Sequence, residues 1–108
     1  MHSTEDAQPE RLAIDRDMTI YHAEALKGEL LGRLEQDSAI ELDLSRIAEI
    51  DTSGIQLLML AKNESMRRQK KLRIVAHSPA VQELIDLYNL SAFFGDPLVI
   101  PARDAARE

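Results

Sequence analysis

Two periodicities alternate along the chain, and each change of period marks a new element. Alternating apolar and polar positions predict strands over residues 40–45 and 71–76. Apolar residues spaced three and four apart predict helices over residues 23–36 and 53–69, and a third helix that begins at Pro79. Strands and helices therefore follow one another through most of the chain.

The elements predicted near the two ends of the chain are shorter. Leu12 and Ile14, and then Met18 and Ile20, alternate with polar neighbours, so we expect a hairpin of two short strands. Residues 98–100 predict one last strand. The resulting order of elements favours an α/β fold, namely a small mixed β-sheet, with its later strands parallel, packed against crossover helices.

A single domain over residues 11–101 accounts for this pattern in a chain of 108 residues. Residues 1–10 are polar and aperiodic, so we expect a mobile lead-in, and residues 102–108 form a charged tail. The apolar positions that face inward predict the core. They are Ile40, Leu42, Leu44, Ile55, Leu58, Met59, Ile74, Val81, Leu84 and Ile85, with Tyr88 at the end of the last helical stripe.

Composition narrows the classes of function. The net charge of −6 argues against an indiscriminate nucleic-acid binder. No apolar run approaches the roughly 20 residues that cross a membrane, so we expect a cytoplasmic protein without membrane insertion. The absence of cysteine excludes disulfides and thiolate metal sites, and the three histidines lack ligand spacing. We therefore expect no metal and no cofactor.

The segment Asp51-Thr52-Ser53-Gly54 is the strongest candidate for chemistry, because it joins a loop after a strand to the start of a buried helix. Its side chains can accept backbone N–H groups at the helix start, a role worth about 1 kcal/mol. A hydroxyl there is also suited to carry a phosphate, whose charge the helix dipole and free amides stabilise.

Enzymatic interpretations of the acidic motifs have less support. Residues 51–54 resemble the Asp-Thr-Gly of aspartic proteases, but Ser53 replaces the glycine and a helix follows where those enzymes have strands. Asp15 and Asp17 have the Asp-x-Asp-x-Thr spacing of phosphohydrolases, which need a larger domain to complete their site. The basic cluster over residues 62–73 is typical of a solvated helix C-terminus and lacks interleaved aromatic residues.

Taken together, residues 40–45, a connector that ends at Ile50, and residues 51–58 resemble the STAS domain, the family of bacterial anti-sigma factor antagonists and sulfate-transporter C-terminal domains. The resemblance continues through residues 72–75 and 78–81 and covers most of the domain. It implies the STAS fold and a small regulatory module that is not an enzyme.

For function, the resemblance implies a switch. In the antagonists, a partner kinase that is also the anti-sigma factor phosphorylates the hydroxyl residue after the motif's aspartate, and a phosphatase reverses the step. That position here is Thr52, with Ser53 as the alternative. Unphosphorylated protein would bind this serine/threonine kinase-type partner, or a related signalling protein, and phosphate would abolish binding. The expected partner-binding residues are Tyr21, Arg46, Asp51, Thr52, Ser53, Gly54 and Ile55.

One departure from the antagonists keeps a second function open. Many of them carry Gly-x-Leu-Asp in the second strand, where this chain has Arg16-Asp17-Met18-Thr19. The residues that follow, 20–23, look more like STAS proteins of chemotaxis gene clusters or of lipid-transporting ABC systems. The alternative is therefore an accessory subunit that docks on its partner without phosphorylation.

Overall fold

The structure, a computed structural model, describes residues 9–95. Strands and helices alternate within this range. The elements are β1 (Glu10–Ala13), α1 (Ala23–Gln36), β2 (Ala39–Leu44), α2 (Thr52–Arg67), β3 (Lys71–His77), α3 (Pro79–Leu87) and the single turn α4 (Ser91–Phe94). The predicted α/β fold class is confirmed, and the predicted strand at 98–100 lies outside the described residues.

The three described strands form one parallel sheet in the order β1-β2-β3. Its middle strand β2 has one dry and one polar face, as its alternating sequence predicts, because every second residue is buried. On the polar face, Glu41 lies in register between Arg11 of β1 and Arg73 of β3 and pairs with both. These ion pairs join neighbouring strands at the surface, where each contributes little.

The core lies between the dry face of the sheet and the helices. All ten core positions named in the sequence analysis belong to it. Seven of them are buried, and Met59, Ile74 and Leu84 are partly buried and pack against the buried residues. Leu26, Leu30 and Leu34 form the buried stripe of α1, whose bounds match the predicted 23–36. Periodicity therefore placed the main elements correctly.

The start of α3 is fixed by its own sequence. Ser78 accepts the amide of Val81 through its hydroxyl, and Pro79 occupies the first helical turn. The Ser78 amide also donates to the Leu44 carbonyl at 3.0 Å, which ties this helix start to β2. None of the helices within residues 9–95 is long and apolar enough to cross a membrane.

The predicted hairpin is wrong. β1 pairs in parallel with β2, and residues 18–21 form no strand. Met18 is fully buried and makes a single parallel bridge to Ile50, whereas Ile20 is 67% exposed. The reason is that the amide of Ile20 donates to the Asp51 carboxylate instead of joining a ladder, so the alternation ends after one bridge.

Two predictions of which helix residues face the core are also wrong. Tyr88, the expected last core residue of the α3 stripe, caps the helix C-terminus and is 46% exposed. The helical spacing over residues 53–69 also predicts that Met66 faces inward, but it is 52% exposed near the end of α2. Both residues lie at the end of a helix, Met66 in the last turn of α2 and Tyr88 as the C-cap of α3, and there the spacing alone overestimates burial.

Candidate functional site

Asp51 organises the segment before α2. Its carboxylate oxygen Oδ1 accepts the amides of Ser53 at 2.9 Å and Gly54 at 3.3 Å, and Oδ2 accepts the amide of Ile20 at 3.1 Å. The Asp51 amide itself donates to the Met18 carbonyl. One side chain therefore caps α2 and holds the 18–20 segment against its first turn.

Gly54 allows these two segments to approach. A Cβ atom at this position would lie 2.3 Å from the Met18 carbonyl oxygen and 2.8 Å from a side-chain carbon of Ile50. The first contact is with backbone, which cannot rotate away. The glycine of the motif is thus required by packing at the start of α2.

Thr52 is the first residue of α2 and is exposed. Its hydroxyl lies 3.3 Å from the hydroxyl of Tyr88, and either group can be the donor. Tyr88 follows α3, 36 residues further along the chain. The fold therefore brings two hydroxyl groups from distant segments together at the surface.

Exposed apolar side chains occur on the chain segments that contact this site. Ile20, whose amide binds Asp51, and its neighbour Tyr21 are 67% and 90% exposed. Leu87, which precedes Tyr88 in the chain, is 68% exposed. Large exposed apolar residues next to a helix start are typical of a protein-binding surface rather than of a polar substrate site.

The predicted site residues do not all share one role. Thr52 and Tyr21 are accessible, and Ser53 is half-buried. Gly54 is buried, and Ile55 is 3% exposed and belongs to the core, so neither offers a side chain to a partner. Arg46 is exposed on the loop after β2 and forms no hydrogen bond or ion pair with the residues described.

The sequence interpretation missed two parts of the site. Spacing predicts Tyr88 in the core because it continues the apolar stripe of α3, but its hydroxyl and its position at the helix end are signals against burial. The amide of Ile20 was missed because Asp51 was expected to serve α2 alone. Nothing in the local sequence indicates a contact between segments 31 residues apart.

Perturbed titrating groups lie elsewhere. Hydrogen bonds from Arg67 and then Arg68 lower the pKa of Glu64 to about 2, at the opposite end of α2. Hydrogen bonds from the hydroxyl and amide of Ser45 lower the pKa of Asp43 on the polar face of the sheet. Across residues 9–95, no three His, Asp or Glu side chains converge to form a metal site.

Comparison with known proteins agrees with this fold. The family model described as "Mlab, STAS domain" matches residues 1–100. No curated protein is detectably similar to the chain in sequence.

Two solved structures share the fold. One is a candidate anti-sigma factor antagonist from Thermotoga maritima, with a TM-score of 0.71 and 19% identity over 91% of this chain and 86% of that one. The other is the anti-sigma factor antagonist SpoIIAA in its unphosphorylated form, with a TM-score of 0.62 and 19% identity over 93% of this chain and 90% of that one. The resemblance drawn from residues 40–90 is thereby confirmed at the level of family and fold.

Proposed function

This chain belongs to the "Mlab, STAS domain" family, and on that premise we propose that it is a non-enzymatic protein-binding module switched by phosphorylation of Thr52. Its partner would be a serine/threonine kinase-type anti-sigma factor or a related signalling protein. The observation that carries the proposal is the exposed Thr52 hydroxyl at the first residue of α2. Ile20 and Tyr21, on the segment bonded to Asp51, and Leu87, next to Tyr88 in the chain, are exposed as well.

The hydrogen bonds around Asp51 suggest why a phosphate there would act on binding rather than on folding. The amides of Ser53 and Gly54 already donate to the Asp51 carboxylate, so they are not free to hold a second anion. A phosphate on Thr52 would gain the favourable end of the helix dipole but would lie beside a carboxylate. Its charge would face outward, where a docked partner would have to desolvate it.

Thr52 is the proposed acceptor and Ser53 the alternative, since Thr52 directly follows the motif's aspartate. Accessibility favours the same choice, because Thr52 is exposed and Ser53 is half-buried. Tyr21, Arg46 and Asp51 complete the proposed binding surface, while Gly54 and Ile55 support it from beneath.

The test begins with phosphosite mapping of the protein purified from its native cell, using Thr52→Ala and Ser53→Ala as matched variants. The proposal expects phosphate on Thr52 that disappears in the first variant and persists in the second. Phosphate found on Ser53 alone, or outside residues 51–54, would overturn the assignment.

Binding is then measured by calorimetry with the partner identified by pull-down. Thr52→Glu should weaken binding at least about tenfold, or about 1.4 kcal/mol, while its melting temperature stays close to that of the wild type. Thr52→Ala should retain binding. Asn63→Glu, which adds the same charge further along α2, is the control and should leave affinity unchanged.

One observation favours the second function, a constitutive accessory subunit of a chemotaxis cluster or a lipid-transporting ABC system. Residues 16–19 lack the Gly-x-Leu-Asp signature, and here they form the bend and bridge that Asp51 and Gly54 hold. That function predicts the same binding surface without phosphate. Unmodified Thr52 in protein from cells under all conditions tested, together with stable partner binding, would support it instead.

A further inference from the structure

Tyr88 is the only side chain within residues 9–95 that shares a hydrogen bond with Thr52. The proposed acceptor hydroxyl therefore does not stand free at the surface. It is half of a pair whose other half belongs to a different helix.

Backbone hydrogen bonds hold the chain in place at both members of the pair. Thr52 follows the capping residue Asp51, whose carboxylate accepts three amides. The Tyr88 amide donates to the Leu84 carbonyl at 3.1 Å, and Asn89 closes the helix in the left-handed region at φ 56°. Buried Val81 and Ile85 anchor α3 in the core, so the tyrosine ring leaves a rigid helix end.

The chemistry of the pair depends on the charge at Thr52. Between two neutral hydroxyls at 3.3 Å, the hydrogen bond is long and weak. An anion at Thr52 can only accept, so the phenol would become its donor, and hydrogen bonds to charged groups are shorter and stronger than neutral ones. The motif amides cannot take this role, because Asp51 already occupies them.

We propose that Tyr88 is a positioning residue that senses the charge of Thr52: its hydroxyl pairs with the unmodified threonine and becomes the donor to an anion there. Tyr88 is the C-cap of α3, so this hydrogen bond links the charge at Thr52 to the end of a second helix. This proposal rests on the proposed function, which makes Thr52 the modified residue.

The experiment uses the two tyrosines of the chain as probe and control. The sequence has only two tyrosines, Tyr21 and Tyr88. An NMR sample with ¹³C-labelled tyrosine rings therefore gives two sets of ring-carbon resonances, one for each residue. Thr52→Val should shift the Cζ resonance of Tyr88 by removing the pair. Thr52→Glu should shift the Tyr88 Cζ resonance downfield, as expected for a phenol that donates a stronger hydrogen bond. The Cζ resonance of Tyr21 should stay unchanged in both variants.

A double-mutant cycle with Tyr88→Phe measures the same coupling through stability. Removing the phenol hydroxyl should lower the melting temperature more in the Thr52→Glu background than in the wild type. Tyr21→Phe should have the same small effect in both backgrounds. An unshifted Tyr88 resonance in Thr52→Glu, or a Tyr88→Phe effect equal in the two backgrounds, would overturn the proposal.

Neither readout needs a kinase or a partner. Failure to find phosphate on Thr52 in cells would therefore overturn the proposed function without changing these results. Conversely, a phosphorylated Thr52 with an unresponsive Tyr88 would overturn only the role assigned to the tyrosine.

Discussion

The two ends of α2 use their polar groups in opposite ways. At the C-terminal end, Glu64 pairs with Arg67 and Arg68, and the ammonium groups of Lys62 and Lys70 donate to the Leu72 and Leu34 carbonyls. The two lysines therefore tie this end of the helix to neighbouring segments, and the Glu64 pairs link residues within it. Several members of the basic cluster over residues 62–73 thus have structural roles.

At the N-terminal end of α2, the amides of Ser53 and Gly54 are hydrogen-bonded, while several side chains remain exposed at the surface. Asp51 takes up the amides, Gly54 brings the 18–20 segment into contact, and the Thr52 hydroxyl and nearby apolar groups remain at the surface. Charge density therefore does not mark the end of α2 that we propose to be functional. That end is a well-capped turn with exposed hydroxyl and apolar groups.

Among the substitutions that test this difference between the two ends of α2, Gly54→Ala should have the largest effect on stability. The added methyl group meets the Met18 carbonyl and the Ile50 side chain, so we expect a loss of about 1–3 kcal/mol in the free energy of unfolding, or more if the 18–20 segment is displaced. Denaturant unfolding monitored by circular dichroism measures it.

Gly28→Ala is the matched control, because within residues 9–95 no atom beyond its chain neighbours and its own helix backbone lies within 4 Å of the new methyl group in the middle of α1. This variant should be stabilised by about 0.5–1 kcal/mol through helix propensity. Equal effects for the two glycines would mean that the start of α2 is not tightly packed.

The next effect in size is expected from Asp51→Ala, which removes the acceptor of three amides at once. Loss of a helix cap costs about 0.5–2 kcal/mol, and the third bond, from Ile20, places this site at the upper end of that range. Hydrogen exchange should show faster exchange at the amides of Ile20, Ser53 and Gly54. Asp51→Asn keeps an acceptor oxygen and should lose less than half as much; a loss equal to that of the alanine variant would mean that the carboxylate charge, not the cap, is what matters.

The sequence predicts some parts of this structure better than others. Elements whose apolar residues repeat over several turns or a full strand, such as α1 and β2, were predicted to within a residue or two. Their burial depends on a period that many residues share. The segment around Met18 and Ile20 offers only two apolar positions, and a contact with Asp51 decides its conformation.

The site shows the same division between local and distant information. The capping role of Asp51 and the place of Thr52 at the helix start follow from neighbouring residues. The contact between Thr52 and Tyr88 does not, because it depends on where α3 ends relative to α2. Sequence reasoning therefore found the residues of one helix turn and missed those that the tertiary fold adds to it.

The smallest effect is expected at the opposite end of α2, from Glu64→Gln. The hydrogen bonds from Arg67 and Arg68 lower the pKa of Glu64 from 4.5 to about 2, so its charged form is favoured in the folded state. The stabilisation is fully present above about pH 4.5 and is lost as the pH falls through about 2. Because the Arg67 side chain is 70% exposed, solvent and salt screen the pair and the effect stays small.

Melting temperatures of the wild type and Glu64→Gln should therefore differ slightly at neutral pH, converge as the pH approaches about 2, and differ less at high salt. Thr52→Gln is the control at the other end of the helix. It adds no charge, so its difference from the wild type should not follow the titration of Glu64. A gap between wild type and Glu64→Gln that stays constant down to acidic pH would show that these ion pairs do not stabilise the fold, and that the contrast between the two ends of α2 rests on packing and capping alone.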